Sequence, residues 1–238
     1  MPRILHVIKF IILSGCVLAL CLNGCAGVSA IEDPRTVEEV VSRAEQLITS
    51  KAYAAAASQY AIAIAKQPAV GRYYLRRAEL LERIDEDKEA HRTYQQAIKI
   101  VPDVDPDHLQ IMHRLALINA NHLFKLDDAE TLLQRMPGAS IERYDLAAFL
   151  YYQASQYDES ITLLNKALER VKTADQKALL LYHAALVYVK LGDQKNTFGS
   201  LYYAINNAGH LGLIRDIEQL WQVINEEPAD KLYRSPQS

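Results

Sequence analysis

Beyond residue 25 the chain of 238 residues contains no cysteine, because its three, Cys16, Cys21 and Cys25, all lie at the N-terminal end. The body therefore has no means of building a disulfide framework or a thiolate metal site. Glycine and proline are also scarce, at 9 and 8, while half of the residues are hydrophobic. Such a composition excludes a low-complexity or disordered chain and leaves ample apolar area for a core. Positive charge is not in excess either, with 26 Lys and Arg against 29 Asp and Glu and a formal net charge of -3. Gripping phosphates requires a basic surface, so nucleic acid is not an expected partner. A Gly-rich phosphate loop, a nucleophile elbow and a His-Glu metal pair are all missing from the sequence. His108, His113 and His122 lie close in sequence, but spacings of five and nine do not stack them on one helical face. They are expected to be exposed or core histidines. No catalytic residue, metal site or cofactor is assigned, and the chain is not read as an enzyme.

What is present begins with a targeting segment. Arg3 and Lys9 form a positive start, Phe10 to Leu22 an apolar run, and Gly24-Cys25-Ala26-Gly27 a run of small residues and cysteine. The run is shorter than the ~20 residues of a membrane span. Leu22-Asn23-Gly24-Cys25 resembles a bacterial lipobox, whose cysteine is acylated and becomes the first residue of the mature chain. Leu13-Ser14-Gly15-Cys16 has a similar form, but cleavage there would halve the apolar run. The expectation is a signal peptide over 1–24, lipidation at Cys25 and a tether over 25–35. The alternative is a soluble exported protein cut after Ala30, since Val28-Ser29-Ala30 suits an ordinary signal peptidase. Ala26, standing where many inner-membrane lipoproteins carry Asp, favours the outer membrane by the same resemblance.

The body is built on self-similarity. Tyr60, Ala63 and Pro68 recur thirty-four residues on as Tyr94, Ala97 and Pro102, and Ala44 and Ala56 recur as Ala78 and Ala90. Small residues at such positions let paired helices approach, and larger apolar ones fill the gap to the next pair. Pro68 and Pro102 stop the second helix of each pair. Tyr144, Ala148, Tyr157, Leu164 and Ala167 continue the pattern from near Ile141, with Ser160 where Ala is usual. Leu181, Ala185, Tyr188, Leu201 and Ala204 continue it from near Ala178. A unit over about 105–138 is irregular, its first helix one residue longer than the pattern, so its register is not fixed by the sequence. Thr36-Val37-Glu38-Glu39 and Thr173-Ala174-Asp175-Gln176 are capping boxes.

This thirty-four-residue pattern resembles the tetratricopeptide repeat. The resemblance implies an all-α solenoid of about five helical hairpins over 36–227, with a helix at 213–226, containing Trp221, capping the last hairpin, and a loose tail over 228–238. It also implies a ligand groove lined by the first helix of each hairpin. Mapped onto this sequence, the groove has an acidic end with Glu38, Glu45, Arg72, Glu79 and Glu82. Its other end carries Asp145, Phe149, Tyr152 and Tyr182 and is apolar and aromatic. The opposing reading makes the acidic residues a solvated face and Tyr182 core. The Lys and Asn residues of repeat proteins that clamp a carboxylate tail are absent from these positions.

The expected function is a non-catalytic scaffold of the bacterial cell envelope, lipid-anchored and facing the periplasm, that binds a peptide or partner helix. Such a scaffold could serve as an assembly factor or pilotin for a secretion, pilus or outer-membrane machine, or as an enzyme-recruiting adaptor. The alternative is a permanent structural subunit of a large complex.

Overall fold

The computed structural model describes residues 33–225, so the signal, Cys25, most of the tether and the tail at 228–238 lie outside the described residues. The chain divides after Pro34, and all of the helices among the described residues belong to the second unit, which starts at Arg35. Among the described residues there are eleven helices and no strand. In order they are α1 Val37–Thr49, α2 Tyr53–Lys66, α3 Gly71–Arg83, α4 Asp87–Ile100, α5 His108–Asn121, α6 Leu126–Arg135, α7 Ile141–Gln153, α8 Tyr157–Leu168, α9 Ala174–Leu191, α10 Gln194–Asn207 and α11 Leu211–Asn225. The first ten pair as five antiparallel hairpins, each packed on the next, which makes the body an all-α repeat solenoid.

Local chemistry sets the ends of these helices. Thr36 Oγ1 accepts from Glu39 N–H at 3.2 Å, and Glu39 Oε2 accepts from Thr36 N–H at 2.7 Å. Ser140, Thr173 and Asp193 cap α7, α9 and α10 in the same sense. The turn inside each hairpin carries one residue in the left-handed region. These are Lys51, Asp85, Phe124, Ser155 and Gly192, with φ of 59°, 61°, 54°, 61° and 71°. Only the last is the glycine that such a turn favours, so four of the five hairpins hold this turn against a side-chain penalty of about 1 kcal/mol.

The small residues sit where the helices cross. Ala44 with Ala56, Ala78 with Ala90, Ala116 with Ala129 and Ala148 with Ser160 are all fully buried. In the fifth hairpin, Ala185 faces a buried Thr197. The irregular third unit is explained by its lengths: α5 has 14 residues against 13 in α1, α3 and α7, and α6 has only 10. The first helix of the fifth unit starts at Ala174, four residues before the repeat pattern predicts, and runs for 18 residues.

The last helix differs from expectation in its placement. It touches α10, where Phe198 and Trp221 meet edge to face at 5.6 Å. Its main contact, however, is with α3, eight helices earlier in the chain. Leu213 and Ile217 are fully buried by that packing. The helix therefore packs on the last hairpin and also reaches back to α3.

Candidate functional site

The first helices of the hairpins, α1, α3, α5, α7 and α9, line one face, and α11 lies on it. Its seat is specific. Leu211 N–H donates to Glu79 Oε1 at 2.8 Å, while Glu79 Oε2 accepts from Arg76 at 2.8 Å. Arg215 donates to the backbone carbonyl of Glu82, to Asp87 Oδ1 at 2.9 Å and to Asp216 Oδ1 at 2.7 Å. Arg83 pairs with Glu218 at 2.6 Å. Gly212 lies so close to α3 that a Cβ there would meet Glu82 Cβ at 2.8 Å, which explains why this helical position has no side chain.

Buried polar groups beneath α11 form one network. Glu82 Oε1 accepts from the Tyr94 hydroxyl at 2.8 Å. Burial pushes the Glu82 carboxyl up to about 7, against the attraction of Arg114 and the Tyr94 hydrogen bond. His122 stands 3.1 Å from Asp87. Burial works against its protonation, but the Asp87 hydrogen bond and the charge of Asp216 raise its pKa above the ordinary value. Burial alone would raise the Asp87 carboxyl. Hydrogen bonds from His122 and Arg215 outweigh that effect and hold it at about 2. His210 is pressed well below its ordinary value by burial and by Arg114, Arg76 and Arg215.

A second buried centre lies between α5, α7 and α9. Asp145 is fully buried, with His113 Nε2 2.9 Å from one carboxylate oxygen and His183 Nδ1 2.6 Å from the other. A carboxylate can only accept, so both imidazoles donate. Burial would raise the Asp145 carboxyl, but the two histidines hold it well below the usual range. Phe149 stacks against His183 at 5.0 Å and Tyr182 at 5.6 Å from the same ring. Among the described residues no group of three or more His, Cys, Asp or Glu could hold a metal ion.

The residues expected to line an open groove therefore divide. Glu38, Glu45 and Arg72 are exposed, and Glu45 accepts from the Tyr60 hydroxyl at 2.5 Å and from Arg76 at 3.2 Å. Tyr152 is half-buried between Phe149 and Tyr157. Glu79, Glu82, Asp145, Phe149 and Tyr182 are buried, so in this structure the groove is closed at those five positions by the chain itself. His183 and Arg215 carry much of the arrangement and were not singled out by sequence. A buried arginine in the middle of an apolar stripe was the one available signal for the second. For His183 there was none, because the carboxylate that it meets, Asp145, is 38 residues away.

No family model and no curated protein matches the chain. Solved structures match its fold. A tetratricopeptide repeat protein from Parabacteroides merdae ATCC 43184 superposes with a TM-score of 0.57 at 15% identity, over 86% of this chain and 81% of that one. PilW, a widely conserved type IV pilus biogenesis factor, gives 0.52 at 13% identity over 85% and 97%. The APC/C hetero-tetramer Cut9-Hcn1 gives 0.58 at 13% identity over 84% of this chain, which spans only 42% of the matched chain. The fold is that of a tetratricopeptide-repeat solenoid.

Proposed function

We propose that this chain is a non-catalytic protein-interaction scaffold of the bacterial cell envelope, tethered by an acyl group on Cys25 at the outer membrane and facing the periplasm. The observation that carries this reading is α11. The face of the first helices receives a helix, buries its apolar stripe and meets its polar groups with charged side chains, which is how a groove of this kind takes a partner. In this structure the chain supplies that helix, and the part of the face left open runs past the exposed Glu38, Glu45 and Arg72. A basic or amphipathic segment of a partner fits this acidic entrance. The fold likeness to a pilus biogenesis factor is compatible with service as an assembly factor or pilotin.

The test is a pull-down from envelope extract with three baits: the wild type, Cys25→Ser, and Glu38→Lys combined with Glu45→Lys. Mass spectrometry is applied to bait and prey. The expected result is an acylated Cys25, a partner lost from the charge-reversed bait, and a mislocalised Cys25→Ser bait. A chain starting at Ile31 without lipid would discard the anchor, and a wild-type bait with no partner sensitive to the reversal would discard the scaffold.

A further inference from the structure

α11 meets α3 through groups that show what this face selects. Glu79 Oε1 accepts from the Leu211 N–H at 2.8 Å, a donor of the first turn that has no partner within its own helix. The next residue has to be glycine, because a Cβ on Gly212 would lie 2.8 Å from Glu82 Cβ. Three residues on, Arg215 donates to the Glu82 carbonyl and, at 2.9 Å, to Asp87. Leu213 and Ile217 are buried beside these polar points. Gly212 with Arg215 and Leu213 with Ile217 are each one turn apart, so the face reads two short stripes of one helix, the first polar and the second apolar.

The fit of α11 is incomplete. Nε2 of His210, just before its start, and Nε1 of Trp221 on it are buried without a hydrogen-bond partner among the described residues. A cavity of about 30 Å³ lies between Asp216 and the groups Glu82, Arg114, Phe149 and Tyr182. Each unmet group costs stability, and the side chains around a void forgo contacts on one side. A helix with an apolar residue at the place of Trp221, no imidazole at the place of His210 and a bulkier side chain towards the cavity is spared these costs. α11 is not simply shed, because Glu79 and Asp87 would lose donors that another helix of this pattern returns. α3 is packed between α2 and α4 independently of it.

We propose that α11 is an exchangeable occupant of this face, and that the partner is an amphipathic helix of another protein that displaces it by carrying the same pattern: an open first turn, a glycine, and an arginine three residues later. The inference deepens the scaffold reading and rests on it, since the covered part of the face then recognises the partner together with the open entrance at Glu38, Glu45 and Arg72. A second copy of this chain does not fit the role. Its α11 brings the same unmet groups and lacks the short link through Gly209 that holds the resident helix nearby.

The probe is a fluorescein-labelled synthetic peptide of residues 208–225, titrated with the full chain and read by anisotropy. The link holds the resident α11 at an effective concentration of about millimolar, so the wild-type chain should take the peptide only weakly. Gly212→Leu in the chain unseats α11 and leaves α3 unchanged, and should tighten peptide binding by about tenfold or more. If that chain fails to fold, Arg215→Ala in the chain loosens α11 without adding bulk and should tighten binding about threefold. Gly212→Leu in the peptide should abolish binding to either variant. A chain that is merely destabilised and sticky would take both peptides alike. The exchange is overturned if neither variant chain binds the peptide more tightly than the wild type, or if the two peptides bind equally. A wild-type dimer in light scattering that Gly212→Leu does not form would make a second copy's α11 the occupant and overturn the assignment to another protein. The peptide needs neither the lipid nor an envelope partner, so the exchange can fail while the scaffold reading, tested by the pull-down, stands.

Discussion

Asp145 and Ser160 are both polar, both fully buried and both in the fourth hairpin, yet they carry different weight. Asp145 is a charge whose two oxygens are each bonded to an imidazole. In Asp145→Asn one of those oxygens becomes an amide NH2, a donor facing a donor, and the negative charge that accepts both hydrogen bonds is gone. The expected loss is about 3 kcal/mol, the order of two weakened hydrogen bonds to a buried charged group. Ser160 instead donates at 2.8 Å to the Ala148 carbonyl, which lies inside a helix and keeps its helical acceptor role without the serine. Alanine stands at the matching positions 56 and 90. Ser160→Ala should therefore change stability by no more than about 0.5 kcal/mol. Urea unfolding of both variants checks the contrast, and comparable losses would mean that the hydrogen bonds to the Asp145 carboxylate add little to the fold. The repeat pattern placed Asp145 on the right helix face. It could not show burial, because the imidazoles that enclose it come from helices 32 and 38 residues away.

Among the elements, those governed by neighbouring residues were legible: the caps at Thr36 and Thr173 and the crossing alanines depend on spacings shorter than one repeat. The position of α11 was not, since an apolar period identifies a helix without saying which distant face receives it. The close approach of Gly212 to Glu82, the Leu211 bond to Glu79 and the reach of Arg215 to Asp87 favour that choice. The same junction gives α11 a pH signature. Because the Glu82 carboxyl titrates at about 7 in the fold and near 4.5 when unfolded, its contribution to stability is complete below 4.5 and drains away as pH rises through 7. His122 acts in the same direction, its contribution draining away as pH rises above 6.5. Asp87 and His210 act oppositely, losing stability as pH falls, the first towards about 2 and the second below 6.5. Comparing the wild type with Glu82→Gln removes the shared groups. Glutamine keeps an oxygen for the Tyr94 hydroxyl and cannot ionise, so the variant should gain on the wild type by about 3 kcal/mol between pH 4.5 and 8. Parallel stability curves across that range would show that Glu82 ionises in the fold as freely as in the unfolded chain.

At the scale of the whole molecule, a repeat solenoid is held by contacts between neighbours, and its ends can melt separately from its middle. Here α11 changes the connectivity. The bonds from Leu211 to Glu79 and from Arg215 to Glu82 join residues 132 and 133 apart, so the last element is fastened to the second hairpin as well as to the fifth. Detaching α11 would take the Leu211 donor from Glu79 and the Arg215 donor from Asp87 and the Glu82 carbonyl, and would uncover the apolar residues under Leu213 and Ile217. The consequence is a cooperative unit larger than one hairpin. The chain carries its own reporter, because its single tryptophan, Trp221, lies on α11 against Phe198. In urea the Trp221 fluorescence change should coincide with the loss of helical circular dichroism in the wild type. Arg215→Ala removes the side chain that reaches Asp87 and the Glu82 carbonyl, and should move the fluorescence transition to lower urea than the loss of helix. If fluorescence already precedes circular dichroism in the wild type, α11 is a loosely attached element and the long-range fastening does not govern unfolding. If the two stay coincident in Arg215→Ala, the apolar contacts of Leu213 and Ile217 fasten the helix and the arginine adds little to it.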